Sequence, residues 1–357
     1  MTLILAIESS CDETAASVVD SSLRVRSSVV ASQAALHAEY AGVVPEIASR
    51  AHVERLMPVL RAALNDAGVT LQDINAIAVA NRPGLIGSLL VGVAAAKAFS
   101  FALDIPILSI DHIEAHLTAG LLDPDENAPP INTLYPALGL VVSGGHTAIY
   151  RMDEPLHRER LGSTIDDAIG EAFDKVATIL GLTYPGGPEI DKLAKHGNDR
   201  AHDFPVSLLA PNSLDFSFSG LKTSVLYEVR GTPTVPEGGG KATFQRDSTD
   251  LTDQQRADIA ASFQRAAVRA ITRKLERALK ETPSMRSLVV GGGVSANSRL
   301  RSELASFCDT SNLTLIQPEM RYCIDNAAMI GGHAHLRLKA GELDDRNTLT
   351  AAPTGAR

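Results

Sequence analysis

The sequence predicts an α/β protein built from two related halves, and three observations carry that reading. Short apolar runs rich in β-branched residues alternate with longer stretches of helical period along the 357 residues. The opening pattern occurs twice. The run 3–7 ends in Glu8-Ser9-Ser10-Cys11-Asp12 and 15–19 returns; the run 138–142 ends in Ser143-Gly144-Gly145-His146 and 147–151 returns. Such an echo signals an internal duplication, though a weak one. Third, glycine-rich turns sit beside apparent strands or helix starts at Ser143-Gly144-Gly145, Gly186-Gly187 and Gly291-Gly292-Gly293. An α/β sheet binds its ligands at that edge.

Taken in order, residues 3–7, 15–19 and 25–30 read as a strand meander. Residues 47–64 read as a helix, 77–80 as a strand and 85–101 as a helix of small residues. Residues 105–110 form a further strand, and a helix beginning at the histidine pair continues through 117–121. Residues 123–130, rich in Pro, Asp and Asn, read as a linker. The second half has strands at 138–142 and 147–151, helices at 166–180 and 190–196, and a loop insertion at 231–250. A long helix at 254–280, a strand at 287–290 and helices at 297–307 and 325–339 follow, then a frayed end. The expected domains are 1–122 and 131–324, with a final helix, 325–340, that packs back onto the first.

Composition narrows the function classes. An apolar share of 45% with charges of both signs describes a globular chain. No continuous apolar run reaches the roughly 18 residues of a membrane span. The opening residues lack a basic n-region and a cleavage site, so a cytoplasmic protein is expected. Cys11, Cys308 and Cys323 are odd in number and far apart, which reads as reduced thiols. The net charge of −9 disfavours nucleic-acid binding by the whole surface and leaves room for a local basic patch. Arg265, Arg269, Arg273 and Arg277 recur every fourth residue and are the first candidates for RNA phosphate contact, although a solvated helix face is the commoner meaning of such a stripe.

The most specific chemistry lies in Asp111-His112-Ile113-Glu114-Ala115-His116. Histidines at i and i+4 share a helix face and can reach one metal ion. In a zinc-protease helix the general-base glutamate follows the first histidine directly. Here Glu114 lies two residues from each, roughly 200° around the helix at about 100° per residue, so the protease base is misplaced. Asp325 opens the last helix, where capping is its default role, but it could add a carboxylate as third ligand. Asp167, Glu171 and Asp174 share a helical face; for Asp166 and Asp167 a solvated helix start is the favoured reading. Asp174 and Asp191 flank the double-glycine turn and could hydrogen-bond a ribose or base. Neither a Walker lysine motif nor a GxGxxG pattern occurs.

Over nearly its whole length the chain resembles the bacterial (TsaD) type of the universal tRNA threonylcarbamoyladenosine synthases. The likeness is carried by Ile7-Glu8-Ser9-Ser10-Cys11-Asp12-Glu13-Thr14, Val43-Val44-Pro45-Glu46, the histidine pair and Val142-Ser143-Gly144-Gly145-His146-Thr147. It continues through residues 166–175, 184–188, 216–223 and 292–297 and Asp325-Asn326-Ala327-Ala328. The resemblance implies an actin/Hsp70/sugar-kinase-like fold of two duplicated RNase H-like domains with the ligand in the cleft. It implies transfer of a threonylcarbamoyl group from threonylcarbamoyl-adenylate to the adenosine 3′ of the anticodon, releasing AMP. It further implies iron(II) or zinc on His112, His116 and Asp325, and an intermediate held by Val141, Val142, Ser143, Gly144, Gly145, Asp174, Gly187, Asp191 and Asn297. Asp12 would be a catalytic or orienting group, and the partners would be tRNA, an inert paralogue (TsaB) and a small P-loop ATPase (TsaE). The chain departs from the pattern at Arg82, where a glycine is usual, at Ala41, and in the 231–250 loop. The rivals are an actin-like small-metabolite kinase or ATPase, which needs no histidine pair, a non-catalytic scaffold paralogue, and a metalloprotease.

Overall fold

The computed structural model describes residues 1–40, 42–234 and 243–354. Ala41, residues 235–242 of the expected insertion loop, and residues 355–357 lie outside the described residues. The first half runs β1 (Leu3–Glu8), β2 (Glu13–Asp20), β3 (Val25–Ser32), a short α1 (Ala34–His37), α2 (Pro45–Ala67), β4 (Ala76–Arg82), α3 (Ile86–Leu103), β5 (Ile107–Asp111) and α4 (His112–His116). The second half contains β6 (Ala137–Val142), β7 (Thr147–Glu154), β8 (His157–Ser163), α5 (Ile169–Ile179), α6 (Gly186–Ala194) and α7 (Ser219–Arg230). Then come α8 (Asp253–Glu281), β9 (Ser287–Gly291), α9 (Ser298–Ser311), β10 (Thr314–Ile316) and α10 (Ala327–Lys339).

The two five-stranded sheets have one topology. The first is ordered β3-β2-β1-β4-β5 and the second, in the same sense, β8-β7-β6-β9-β10. In each, three strands form an antiparallel meander, and two further strands join the first one in parallel. The duplication faintly visible in the two opening motifs is therefore complete at the level of strand order and direction.

Period-two alternation explains why the central strands read as unbroken apolar runs: both faces are covered. In β1, Leu3, Leu5 and Ile7 join a core with α2 and α3, while Ile4 and Ala6 face a second core completed by α10. β4 divides the same way, with Ile77 and Val79 on one side and Ala76, Ala78 and Ala80 on the other. The small face matters, because α10 lies close against it: a Cβ on Gly331 would stand 2.7 Å from Val19 Cγ2. In β6, Leu138, Leu140 and Val142 enter the large core of the second half, and Ala137 and Val141 face the core under α4.

Several elements differ from expectation. β8 alternates charges on a half-exposed edge and so shows no apolar run; β10 has three residues. α7 does carry a helical period, burying Leu221, Val225 and Val229. The histidine helix stops after five residues, followed by a 3₁₀ turn at Ala119–Leu121. α3, expected as a helix of small residues, is the one helix among the described residues long and apolar enough, by length and composition, to cross a membrane, although Lys97 interrupts its apolar run. It buries Ser88, Leu89, Gly92, Val93, Ala96 and Ser100. The segment after α10 packs on the first half as far as Ala352, and the last three residues, 355–357, lie outside the described residues. Arg346 donates to the carbonyl of Ser100 at 2.9 Å, Leu349 is buried, and the Ala352 N–H donates to the Asn81 carbonyl at 2.9 Å. The three cysteines are unpaired.

Candidate metal centre and ligand cleft

β5 delivers the chain to the edge of the first sheet and α4 begins at once. Asp111 caps it, its carboxylate accepting from the N–H groups of Ile113 (2.9 Å) and Glu114 (3.3 Å). One turn is enough to set His112 and His116 together, with ring centroids 4.6 Å apart and planes at 81°. Across from them Asp325 presents Oδ1 at 3.5 Å from His112 Nε2 and 3.3 Å from His116 Nε2. One ligand atom from each of the three residues lies within 4.8 Å of the others. Asp325 does not cap α10. Asn326 does, accepting from the Met329 N–H at 2.9 Å, which leaves the preceding carboxylate to face the imidazoles.

The donors fit a metal. His116 is fully buried, and neither ring nitrogen has a hydrogen-bond partner. A buried imidazole held by no formed hydrogen bond, with only the Asp325 carboxylate 3.3 Å from Nε2, carries a desolvation cost that a cation shared with Asp325 would offset. His112 is held from behind: Glu8 Oε2 lies 2.8 Å and Ser10 Oγ 3.2 Å from its Nδ1. A carboxylate on Nδ1 places the proton there and turns the Nε2 lone pair toward the site, the usual support of a metal-bound histidine. Burial opposes protonation of His112, but Asp325 and Glu8 outweigh it and its pKa is raised. Burial lowers that of His116. For Asp325 burial works upward, yet the two imidazoles bring its carboxyl well below the ordinary range. Glu8 is the residue that motif reading missed. It sits in the first polar turn, and its burial was the one signal that a sequence does not display.

Glu114 points to the opposite side of α4. It pairs with Arg158 and lies 3.2 Å from His333 Nε2, lining a separate cavity of about 290 Å³. A protease base has no counterpart at the histidine face.

In front of the triad opens a cavity of about 770 Å³ between the two halves. Of the expected site residues, His112, Asp325, Asp12, Ser143, Gly144, Gly145 and Asp174 line it. Val141 and Val142 do not; their side chains are buried in opposite cores, so only backbone groups could serve. Gly187 has open space where a Cβ would be, at the start of α6. Asp191 accepts from the Ser298 N–H (3.2 Å) and hydroxyl (2.8 Å). Asn297 caps α9, accepting from the Leu300 N–H at 3.0 Å, and its amide donates to Gln264 at 3.1 Å. Both are tied to the fold rather than aimed into the cavity.

The glycine turns divide in the same way. Gly144 and Gly145 have nothing within 4 Å of an added Cβ. Gly291 and Gly292 serve close packing instead: a Cβ on Gly291 would sit 2.1 Å from the His116 carbonyl, and on Gly292, at φ +96°, 2.4 Å from the Val142 carbonyl. The end of the second sheet is thus pressed onto the metal helix. Arg82 lacks positive φ, ends β4 and lies 3.4 Å from Asp111, so no glycine is needed there.

The other acids have mixed roles. Burial, with Asp325 and Asp12 adding, pushes Glu13 up to about 9, and burial raises Asp174 although the Gly186 N–H donates to it at 2.8 Å. Asp166 and Asp167 precede α5 rather than opening it. Asp166 accepts from the hydroxyls of Ser217 and Ser219, each at 2.6 Å, and Asp167 pairs with Lys175 and Lys222, each at 2.7 Å. The arginine stripe is half spent internally: Arg265 donates to the His202 carbonyl (3.4 Å) and Arg277 to that of Leu208 (3.0 Å), leaving Arg269 and Arg273 exposed.

Known proteins share this pattern. The family model of tRNA N6-adenosine threonylcarbamoyltransferase, TsaD, matches residues 24–332. The chain belongs to this family. A relative of that name from Trichlorobacter lovleyi is 49% identical over 343 residues, covering 96% of this chain and 94% of its own. One from Rhodopirellula baltica is 48% identical over 335 residues, covering 92% and 90%. Among solved structures, T. kodakarensis HypF superposes with a TM-score of 0.59 at 14% identity, over 98% of this chain and 49% of its own. Full-length HypF in a phosphate- and nucleotide-bound form gives 0.53 at 13% identity, over 95% and 46%. At that identity the likeness establishes the fold, which is the actin/sugar-kinase-like one. The enzyme is a tRNA-modifying transferase.

Proposed function

We propose that the chain moves the threonylcarbamoyl group from threonylcarbamoyl-adenylate to the exocyclic amine of the adenosine 3′ of the anticodon, in tRNAs reading codons that begin with A. The observation that carries this reading is the triad of His112, His116 and Asp325, of which His112 and Asp325 line a cleft of about 770 Å³ and His116 is buried behind them. That volume suits an AMP-sized ligand. The opposite wall is the open Ser143-Gly144-Gly145 turn, whose backbone N–H groups can approach a phosphate or a developing oxyanion.

Charge supports a cation. Asp12, Glu171, Asp174 and Asp325 line the cleft against Lys175, and such a wall repels an anionic ligand unless positive charge is added. Bound iron(II) or zinc would supply Lewis-acid charge to a phosphate or carbamoyl oxygen. In the transfer the amine nitrogen bonds to the carbamoyl carbon, the bond from that carbon to the phosphate oxygen breaks, and AMP leaves with the electron pair. The proton lost by the amine passes to a carboxylate, for which Asp12 is placed on the cavity wall. Backbone groups of 141–145, with Gly187 and Asp174, would hold the intermediate, and Asp191 and Asn297 would brace that wall through their bonds to Ser298 and Gln264.

We propose two protein partners, an inert paralogue of the same fold and a small P-loop ATPase, and a cytoplasmic setting. Pairing is supported by exposed apolar side chains on two adjacent helices: Val53 and Met57 on α2, and Ile86, Leu90 and Phe101 on α3. We also propose that residues 1–122 and 131–324 are the two structural domains. A reconstituted transfer assay with labelled threonine, unmodified tRNA and the partners tests the activity. Wild type is expected to label tRNA and His112→Ala to fail; equal labelling by both would refute the reading.

A further inference from the structure

The segment after α10 reaches the ligand cleft at Pro353. Pro353 lines the cavity beside Pro83, Gly84 and Leu85, the loop between β4 and α3. Three hydrogen bonds bind segment to loop. The Ala352 N–H donates to the Asn81 carbonyl (2.9 Å), the Asn81 amide to the Thr350 carbonyl (3.1 Å), and the Gly84 N–H to the Pro353 carbonyl (3.3 Å).

The loop in turn is clamped on the first polar turn. The Leu85 N–H donates to the Ser10 carbonyl at 2.8 Å. Gly84 is glycine for lack of room: an added Cβ would lie 2.4 Å from that carbonyl. Ser10 then reaches the metal side, with its hydroxyl 3.2 Å from His112 Nδ1 and its N–H donating to Glu8. An unbroken run of hydrogen bonds thus leads from residues 350–353, through the loop and Ser10, to the support of a metal-ligating histidine.

We infer that Pro353 is a working wall of the acyl-adenylate site and that residues 350–353 act as a strap that fixes residues 81–85 against Ser10. The inference rests on the adenylate reading above. A loop preorganised by this strap meets its ligand without the ordering cost that a free loop would carry. The segment is anchored independently upstream. Leu349 is in the core, Arg346 holds the Ser100 carbonyl, and Asp344 accepts from the Ser109 N–H at 2.7 Å. Its last residues can therefore be removed without unseating the rest.

The test is AMP binding by titration calorimetry to the full chain, to a chain ending at Leu349, to Asn81→Ala, and to the two changes combined. The shortened chain is expected to bind AMP about tenfold more weakly, with Tm within about 2 °C of wild type. Asn81→Ala should lose less, and adding it to the shortened chain should cost little more, because both remove one contact set. In the transfer assay the shortened chain should show a raised KM for the adenylate with kcat retained. Undiminished AMP affinity in the shortened chain overturns the inference, as does a full chain that binds no AMP. Should the shortened chain not fold, Asn81→Ala decides by itself, and unchanged affinity refutes. Failure of the transferase reading shows separately, as a wild type that binds AMP yet labels no tRNA.

Discussion

The two halves share strand order and direction, yet the turn after the first strand differs between them in a way that assigns their tasks. In the first half Glu8-Ser9-Ser10-Cys11-Asp12 is acidic and closely packed, with Glu8 and Ser10 on the back of His112. In the second half Ser143-Gly144-Gly145-His146 carries no acid, and its two glycines face open space. One scaffold, used twice, supplies charge on one side and room on the other. The residues proposed to bind the ion belong to the charged side, with Asp325 brought in just before the helix that covers the first sheet. The ligand's phosphate is assigned to the open side.

Changes on the charged side should have the largest effect. Asp325→Ala or His116→Ala removes a ligand from a site of three; metal is expected to be lost and transfer to fall by about 1,000-fold or more, beyond the 10- to 100-fold typical of a supporting residue. Glu8→Gln tests that supporting tier. It keeps the shape but withdraws the carboxylate from Nδ1, so metal affinity, followed by competition with a chelator, should drop by about 10- to 100-fold. On the open side, Gly145→Val should leave metal content at the wild-type level and weaken AMP binding by about tenfold, since the added side chain enters ligand space. Equal metal loss in that variant would erase the distinction between the halves.

The smallest expected effect is a pH dependence. Glu13 is raised from 4.5 to about 9 by burial and by Asp325 and Asp12. A carboxyl raised on folding favours the folded state while protonated. Its contribution is full below the unfolded value and is lost as pH rises toward the folded one. The metal-free protein should therefore lose Tm between pH 5 and about 9, and Glu13→Gln should flatten that decline. A parallel decline in both proteins would remove Glu13 from the account.

Legibility followed how local each signal was. β1, β4 and β6 could be read because strands covered on both faces form unbroken apolar runs. β8 could not, because an edge strand of alternating charge resembles a loop. The histidine pair and the wrong placement of Glu114 follow from helix period alone, and one turn of helix suffices to realise them. Asp325 was ambiguous in sequence, since an aspartate before a helix caps by default; its neighbour Asn326 took that role. The roles of Glu8, of Gly291 against His116 and of the 350–353 strap depend on contacts across tens to hundreds of residues, which no local pattern encodes. The arginine stripe was legible only in part for the same reason, as carbonyls of the 202–213 region claim two of its members and leave Arg269 and Arg273 exposed.

Metal content by mass spectrometry on chain purified without chelator tests the central claim most directly. Wild type should hold about one iron or zinc per chain, and Asp325→Ala, folded by circular dichroism, almost none. A wild type that stays empty after reconstitution with either ion, or an Asp325→Ala protein that loads as fully as wild type, would contradict it.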